Sequence, residues 1–586
     1  MPRFALVAVL LMLGAAAPRA QQALTADQRD SDLTQLASMF AKEYAPYEWK
    51  RDVIGFDLYR LTPWLQKIHQ AADLDVQDAF IEYLTSLQDT HSSIFFPSPF
   101  IASLGITVDI FDGKVLIDSI NRTLLPAVQF PFGVGDELVA LDGEPVQNII
   151  ASFRSLATSA ANPRSRDRIA AGRIVQRAQS TLPHASQVGD TAVASIRVGS
   201  VLKNYTLPWV KTGIPLDSQG PLPSPRRGNG LIFRTPDSAG PATVSTAEGT
   251  PALPHKTDFR VTDDTLPAYM DPIRPFLHSE VPETTNGVRG YGARNPVYSP
   301  PAGFVTRLGK VSSDFFFSGT YVSQGVRIGL LRIPNEAPSS TATALQQLNT
   351  EIAFLNANTD VLVVDITHNT GGILTTAESF AQRLIPTTFR TVGFEFRATA
   401  LEVGAFASRL TAAINGGAPP EVIANLRSNF DEVFRAYNEE RGRTASLPIN
   451  SLGSFNLAPA AVAYTKPLLT LVDEFTTSSG DMLAAILQDN HRGPLLGMRT
   501  MGAGGNNIQF DCTTFTEGIC SMTIGLMNRG VTISTPEFPP SPYIENVGVR
   551  PDIVVDYMTR DNLVLGGAPF VQAFTDAAVK LAQTPH

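Results

Sequence analysis

A chain of 586 residues has room for several structural units, and 43% apolar with 17% charged residues excludes a mainly disordered or coiled-coil protein. Its 46 Lys and Arg against 55 Asp and Glu leave a net charge of −9 with no Lys/Arg block, which excludes a basic nucleic-acid footprint. Two cysteines exclude a thiolate zinc site and a dense disulfide framework.

Met1-Pro2-Arg3 and the apolar run Ala5 to Ala17 predict a signal peptide over 1–20, cleaved between Ala17 and Ala20. The run is too short to span a bilayer comfortably, so the expected product is a secreted, soluble protein without stable membrane insertion. Residues 21–100 place apolar side chains at helical spacing (Leu33, Leu36, Phe40; Phe80, Tyr83, Leu84, Leu87) and predict a helical N-terminal region, with His91 near a helix end. From 101 to 211 short β runs such as Val115-Leu116-Ile117 and Glu137 to Leu141 alternate with Gly, Asp and Pro turns. Residues 212–302, rich in Pro and Gly and carrying Arg226-Arg227, read as a long exposed insertion or a plain spacer. Strands and helices then alternate over 303–560, interrupted by a helical stretch near 400–440, and a C-terminal helix closes the chain within 561–586.

Two strand–loop–helix junctions carry the chemistry. Val361 to Ile366 is a buried-type strand followed by Thr367-His368-Asn369-Thr370-Gly371-Gly372, a turn that exposes backbone N–H groups. Pro467 to Glu474 is a second strand, followed by Phe475-Thr476-Thr477-Ser478-Ser479-Gly480 and a helix from Asp481. A serine at a helix N-terminus stands beside unpaired N–H donors and the positive dipole end, which suits a nucleophile next to an oxyanion; capping alone would also account for it. Neither G-x-S-x-G nor G-x-G-x-x-G nor a P-loop is present, which disfavours a lipase-type hydrolase and a nucleotide site. In an oxidising compartment Cys512 and Cys520 would close a short hairpin, worth about 2–3 kcal/mol in loop entropy; two free buried thiols are the alternative.

Taken in order, four segments resemble family S41 of serine peptidases: Leu87-Gln88-Asp89-Thr90-His91, Asp365 to Gly372, Tyr464 to Asn490, and Tyr543 to Asp552. The resemblance implies a mixed α/β fold with a ClpP/crotonase-like core, a metal-independent peptidase without cofactor, and protein or peptide substrates. Members with a Ser-Lys dyad carry a lysine in a segment like Thr500 to Gly504; here that segment holds Ala503, and no lysine occurs between Lys466 and Lys580. The match to the family's chlamydial branch therefore implies Ser478 as nucleophile, His91 as base and Glu545 as the carboxylate orienting it, with the N–H groups of Ser479 and of Gly371 or Gly372 as oxyanion hole. It also implies a homodimer, and an inhibitory or processed segment in 212–302 as the alternative to a spacer. His368 is the rival base and Glu537 the rival carboxylate; Asp489 reads as structural. Residues 101–211, with Ser103-Leu104-Gly105-Ile106 and Gly135 to Gly143, resemble a PDZ domain, which binds an extended peptide by strand addition. That leaves three functions to weigh: a secreted endopeptidase working through an acyl-enzyme, a processing protease specific for free C-termini, and a catalytically silent peptide-binding protein.

Overall fold

The computed structural model describes residues 23–156, 160–216, 284–285 and 288–584. The predicted signal peptide and most of the predicted insertion, including Arg226-Arg227, lie outside the described residues.

The N-terminal region opens with the helix Ala26–Glu43, started by a capping box between Thr25 and Gln28. A second long helix, Asp73–Thr85, follows. Their apolar stripes, Leu33, Leu36 and Phe40 on one and Val76, Phe80 and Leu84 on the other, share a buried cluster with Phe510, Met522 and Ile524 of a distant hairpin. The N-terminal helices thus close over the far end of the chain. The predicted helix stops at Thr85, so His91 sits in the turn between it and the strand Ser93–Phe95, which pairs antiparallel with Ile519 to Ser521. That pairing is what carries an N-terminal residue to the peptidase-like core.

The β-rich module is an antiparallel sheet in the order Ile106–Phe111, Lys114–Ile120, Glu137–Leu141, Thr191–Val198, Val201–Pro208, with Ile106–Phe111 at its edge. The turns Asp112-Gly113 and Asp142-Gly143 both have positive φ, as tight hairpins require. Helix Pro163–Val175 lies on this sheet, burying Ala170, Ala171 and Ile174 against Val108 and Val115.

The core is a seven-stranded sheet in the order Val305–Leu308, Phe317–Ser323, Val326–Arg332, Val361–Asp365, Leu468–Val472, Leu495–Gly497, Ile553–Val554, parallel from Val326 onward. Its central strands are buried on both faces, which explains their unbroken apolar runs. Leu362, Val364, Leu468 and Val472 face helices Thr341–Asn358, Leu374–Leu384 and Ser479–Asp489. Val361, Val363, Leu469 and Leu471 face helix Ala568–Gln583. A helix pair, Ala400–Asn415 and Pro420–Asn438, interrupts the core. Gly505–Asp511 and Ile519–Ile533 form a hairpin closed by the Cys512–Cys520 disulfide.

The segment expected to be an exposed insertion ends in a packed stretch: Val288, Tyr291 and Tyr298 are buried or nearly so, and Gly292 N–H donates to His368 O (2.8 Å). Its composition hid this, because a few aromatic anchors hold it without any hydrophobic periodicity. Among the described residues, no helix is long and apolar enough to cross a membrane.

Candidate active site

Strands Val361–Asp365 and Leu468–Val472 are parallel neighbours, so the loops leaving their C-terminal ends meet above the sheet edge, where open α/β folds place their ligands. The two loops are stitched together. Asp473 accepts from His368 N–H (2.8 Å), Thr476 Oγ1 donates to Ile366 O (2.8 Å), and Thr477 N–H donates to Asn369 O (2.9 Å).

Ser478 closes the second loop at φ +60°, ψ −118°, an uncommon conformation for a residue with a side chain. Asp481, one turn into the helix, accepts from Ser478 N–H (2.8 Å) and also from Gly502 N–H (2.9 Å) and Ala503 N–H (3.1 Å). Ala503 is itself fully buried. With its backbone fixed, Ser478 directs Oγ to His91 Nε2 at 2.9 Å. Burial lowers the His91 pKa below the ordinary 6.5 against the opposing pull of Asp89, so the neutral imidazole that can accept a serine proton is favoured.

Behind His91 lies a buried charge cluster. Asp89 accepts from His91 N–H (2.9 Å), Tyr44 OH (2.8 Å), Ser92 Oγ (2.9 Å) and Thr523 Oγ1 (2.8 Å). Burial raises its pKa, but Lys50 and His91 more than reverse this and hold it below the usual carboxylate value. Glu545 is fully buried, but its carboxylate is directed to Lys50 Nζ and to Gly504 N–H (2.9 Å), with no hydrogen bond to His91, whose Nδ1 has no hydrogen-bond partner among the described residues. Burial and the Asp89 charge push the Glu545 pKa up, with Lys50 pulling it back. Lys50 is completely buried and also donates to Asn546 Oδ1 (2.6 Å) and Gln88 O (3.1 Å). Sequence reading missed Lys50; a lone lysine after Tyr47 and Trp49 has no spacing that marks it.

On the other side of Ser478 stands the glycine turn. Gly371 has φ +76°, and a Cβ there would lie 2.5 Å from Ser478 Cβ; one on Gly372 would lie 2.6 Å from the Glu336 carbonyl carbon. Both positions exclude any side chain. Gly371 N–H is taken by Asn369 Oδ1 (2.8 Å), so of the two expected oxyanion glycines this one already has an acceptor. Asn369 Nδ2 donates to Glu336 Oε1 (2.9 Å) and Ser479 Oγ to Glu336 Oε2 (2.9 Å), making Glu336 a buried buttress that sequence reading also missed. Burial raises its pKa to about 7.

The rival residues have other partners. His368 pairs with Asp473 and packs on Phe475. Glu537 makes an ion pair with Arg550, and Asp489 holds Arg529 (Nε to Oδ2, 2.9 Å). Among the described residues, Asp75, Asp78 and His184 are the set whose ligand atoms lie close enough to hold a metal; they form a partly exposed ion cluster, with His184 Nε2 at 3.1 Å from Asp75 and 3.2 Å from Asp78.

This geometry, a serine at a helix start with a histidine on its hydroxyl and a glycine turn beside it, coincides with a family match. Residues 327–555 match the model of peptidase family S41. The core is an S41 peptidase domain, and the enzyme is of the serine type. Residues 101–212 match a PDZ domain. A Chlamydia pneumoniae protein is 25% identical over 92% of this chain and 88% of its own length, and a Chlamydia muridarum protein 24% identical over 92% and 90%. A carboxyl-terminal-processing protease of Synechocystis is 33% identical over 17% of this chain and 21% of its own length. Mature CPAF shares the fold, with TM-score 0.71 at 20% identity over 95% of this chain and 98% of that one. The structure of mature CPAF complexed with lactacystin gives 0.70, also at 20%, over 95% and 99%.

Proposed function

We propose that this S41 enzyme is an exported serine endopeptidase in which Ser478 is the nucleophile and His91 the general base. The observation that carries the reading is the 2.9 Å contact between Ser478 Oγ and His91 Nε2, made by residues 387 positions apart. Ser478 Oγ attacks the scissile carbonyl carbon as its proton passes to His91 Nε2. The C–N bond then breaks, His91 returns the proton to the leaving amine, and water, activated by the same imidazole, releases the acyl group. Ser479 N–H, at the first turn of its helix, and Gly372 N–H are the oxyanion donors of this reading, since Gly371 N–H is bonded to Asn369. The imidazolium is stabilised by Asp89, with Glu545 and Lys50 in the same buried cluster.

The test compares the purified chain with Ser478→Ala on an unfolded protein substrate and maps a fluorophosphonate label by mass spectrometry. Label on Ser478 and loss of cleavage in the variant are expected; lactacystin, with which mature CPAF was solved, serves as a second probe. A wild-type chain that neither labels nor cleaves would leave the silent peptide-binding reading standing.

A further inference from the structure

A PDZ-type module captures a peptide by adding it as a strand at a sheet edge, beside a helix that supplies side-chain contacts. Here the edge strand is Ile106–Phe111 and the helix packed on it is Pro163–Val175. The strip between them is crossed by a buried, two-pronged ion pair. Arg168 Nε donates to Asp109 Oδ1 (2.9 Å) and Nη2 to Asp109 Oδ2 (2.7 Å), and both side chains are almost wholly buried. Asp109 Oδ1 further accepts from Ile110 N–H (2.7 Å), occupying a backbone donor of the edge strand itself.

The same helix is tied to the nucleophile loop. Arg168 Nη1 donates to Glu474 Oε1 (2.9 Å), and its guanidinium lies 4.5 Å from the ring centre of Phe475. Glu474 and Phe475 belong to the stretch that joins the strand ending at Val472 to Ser478. Arg164 also donates to Glu474, and Ser165 Oγ to the Glu474 carbonyl. Asn162 Nδ2 reaches Thr500 O (3.1 Å), and Thr500 Oγ1 in turn donates to Asp481, the residue that holds Ser478 N–H. Burial alone would disfavour the charge on Arg168, but Asp109 and Glu474 outweigh it, so the guanidinium stays charged.

We propose that Arg168 is a positioning residue for the nucleophile loop, and that its use there closes the groove, so that substrates are chosen without reference to a free C-terminus. This rests on the peptidase reading above and deepens it: the substrate class is internal peptide bonds of unfolded chains, and the module is a brace for the catalytic loop.

Two measurements on the full mature chain test it. The first gives the wild-type enzyme one peptide in two forms, with a free C-terminal carboxylate and with an amide; kcat/KM values within about twofold are expected. A preference above about tenfold for the free carboxylate overturns the proposal. The second compares Arg168→Met, Arg168→Lys and Glu474→Gln with wild type. Arg168→Met should lower kcat by about tenfold or more with KM nearly unchanged, slow fluorophosphonate labelling of Ser478 in parallel, and be partly rescued by Lys. An unchanged kcat in Arg168→Met, or an effect confined to KM, overturns it. Should Arg168→Met fail to fold, Glu474→Gln carries the same expectation from the loop side. A wild-type chain that cleaves neither peptide form and takes no label instead removes the peptidase reading on which the proposal stands.

Discussion

The two flanks of Ser478 are built on opposite principles. The base flank is ionic and assembled from afar: His91, Asp89 and Lys50 from the first hundred residues meet Glu545 and Thr523 from the last hundred. The oxyanion flank is nearly neutral and local: a glycine turn, the first residues of a helix and one buried carboxyl, Glu336, that accepts from Asn369 and Ser479. In the mechanism proposed above, proton transfer creates a charge on the first flank, where the buried charged groups are gathered. In that proposal the second flank receives the oxyanion, for which backbone N–H donors held rigidly in place suffice, without a mobile cation.

Each flank can be broken separately. The largest effect is expected from His91→Ala, a fall in kcat of about 10²–10⁴-fold with Ser478 still in place. In the wild-type enzyme kcat/KM should rise with pH as His91 loses its proton, with a midpoint below 6.5 because burial lowers its pKa; a midpoint well above 6.5 would break the assignment. Lys50→Met leaves Glu545 buried without its cation and should destabilise the fold by about 3–5 kcal/mol, read as a drop in the urea midpoint. Cys512→Ser with Cys520→Ser removes the staple of the hairpin on which the N-terminal helices pack, at about 2–3 kcal/mol, which differential scanning calorimetry of both forms would show.

A pH-dependent effect of similar size belongs to the second flank. Glu336 keeps its proton to about pH 7 when folded, whereas an unfolded glutamate releases it near 4.5. Between those values the folded state binds the extra proton, so this group makes stability fall as pH rises, with a slope of at most about 1.4 kcal/mol per pH unit. Glu336→Gln, which resembles the protonated form, should narrow the difference in urea midpoint between pH 5 and pH 7. An unchanged difference would mean that Glu336 is already ionised in that range.

The contrast between the flanks also explains what could be read from the chain. The glycine turn, the Ser478 helix start and the Asp-Gly hairpins were legible because each is a local conformational demand met by neighbouring residues. His91 and Glu545 could be named through the family resemblance, but not where Glu545 points: Lys50, buried by the tertiary fold, takes its Oε1. His91 was expected at a helix end and lies instead in a turn after it, placed by the strand Ser93–Phe95 pairing with Ile519 to Ser521. The end of the predicted insertion looked exposed, although Val288 and Tyr298 are buried there.

By itself, then, the sequence determined the mixed α/β class, the two strand–loop–helix junctions and the β-rich module, because short-range periodicity and turn chemistry are written along the chain, while the family resemblance singled out Ser478. Only the tertiary structure decided which charges face one another: Lys50 on Glu545, and Arg168 between Asp109 and Glu474. Those pairings form between residues tens to hundreds of positions apart, in surroundings where burial makes an unpartnered charge untenable, and burial is a property of the folded chain that no local pattern records.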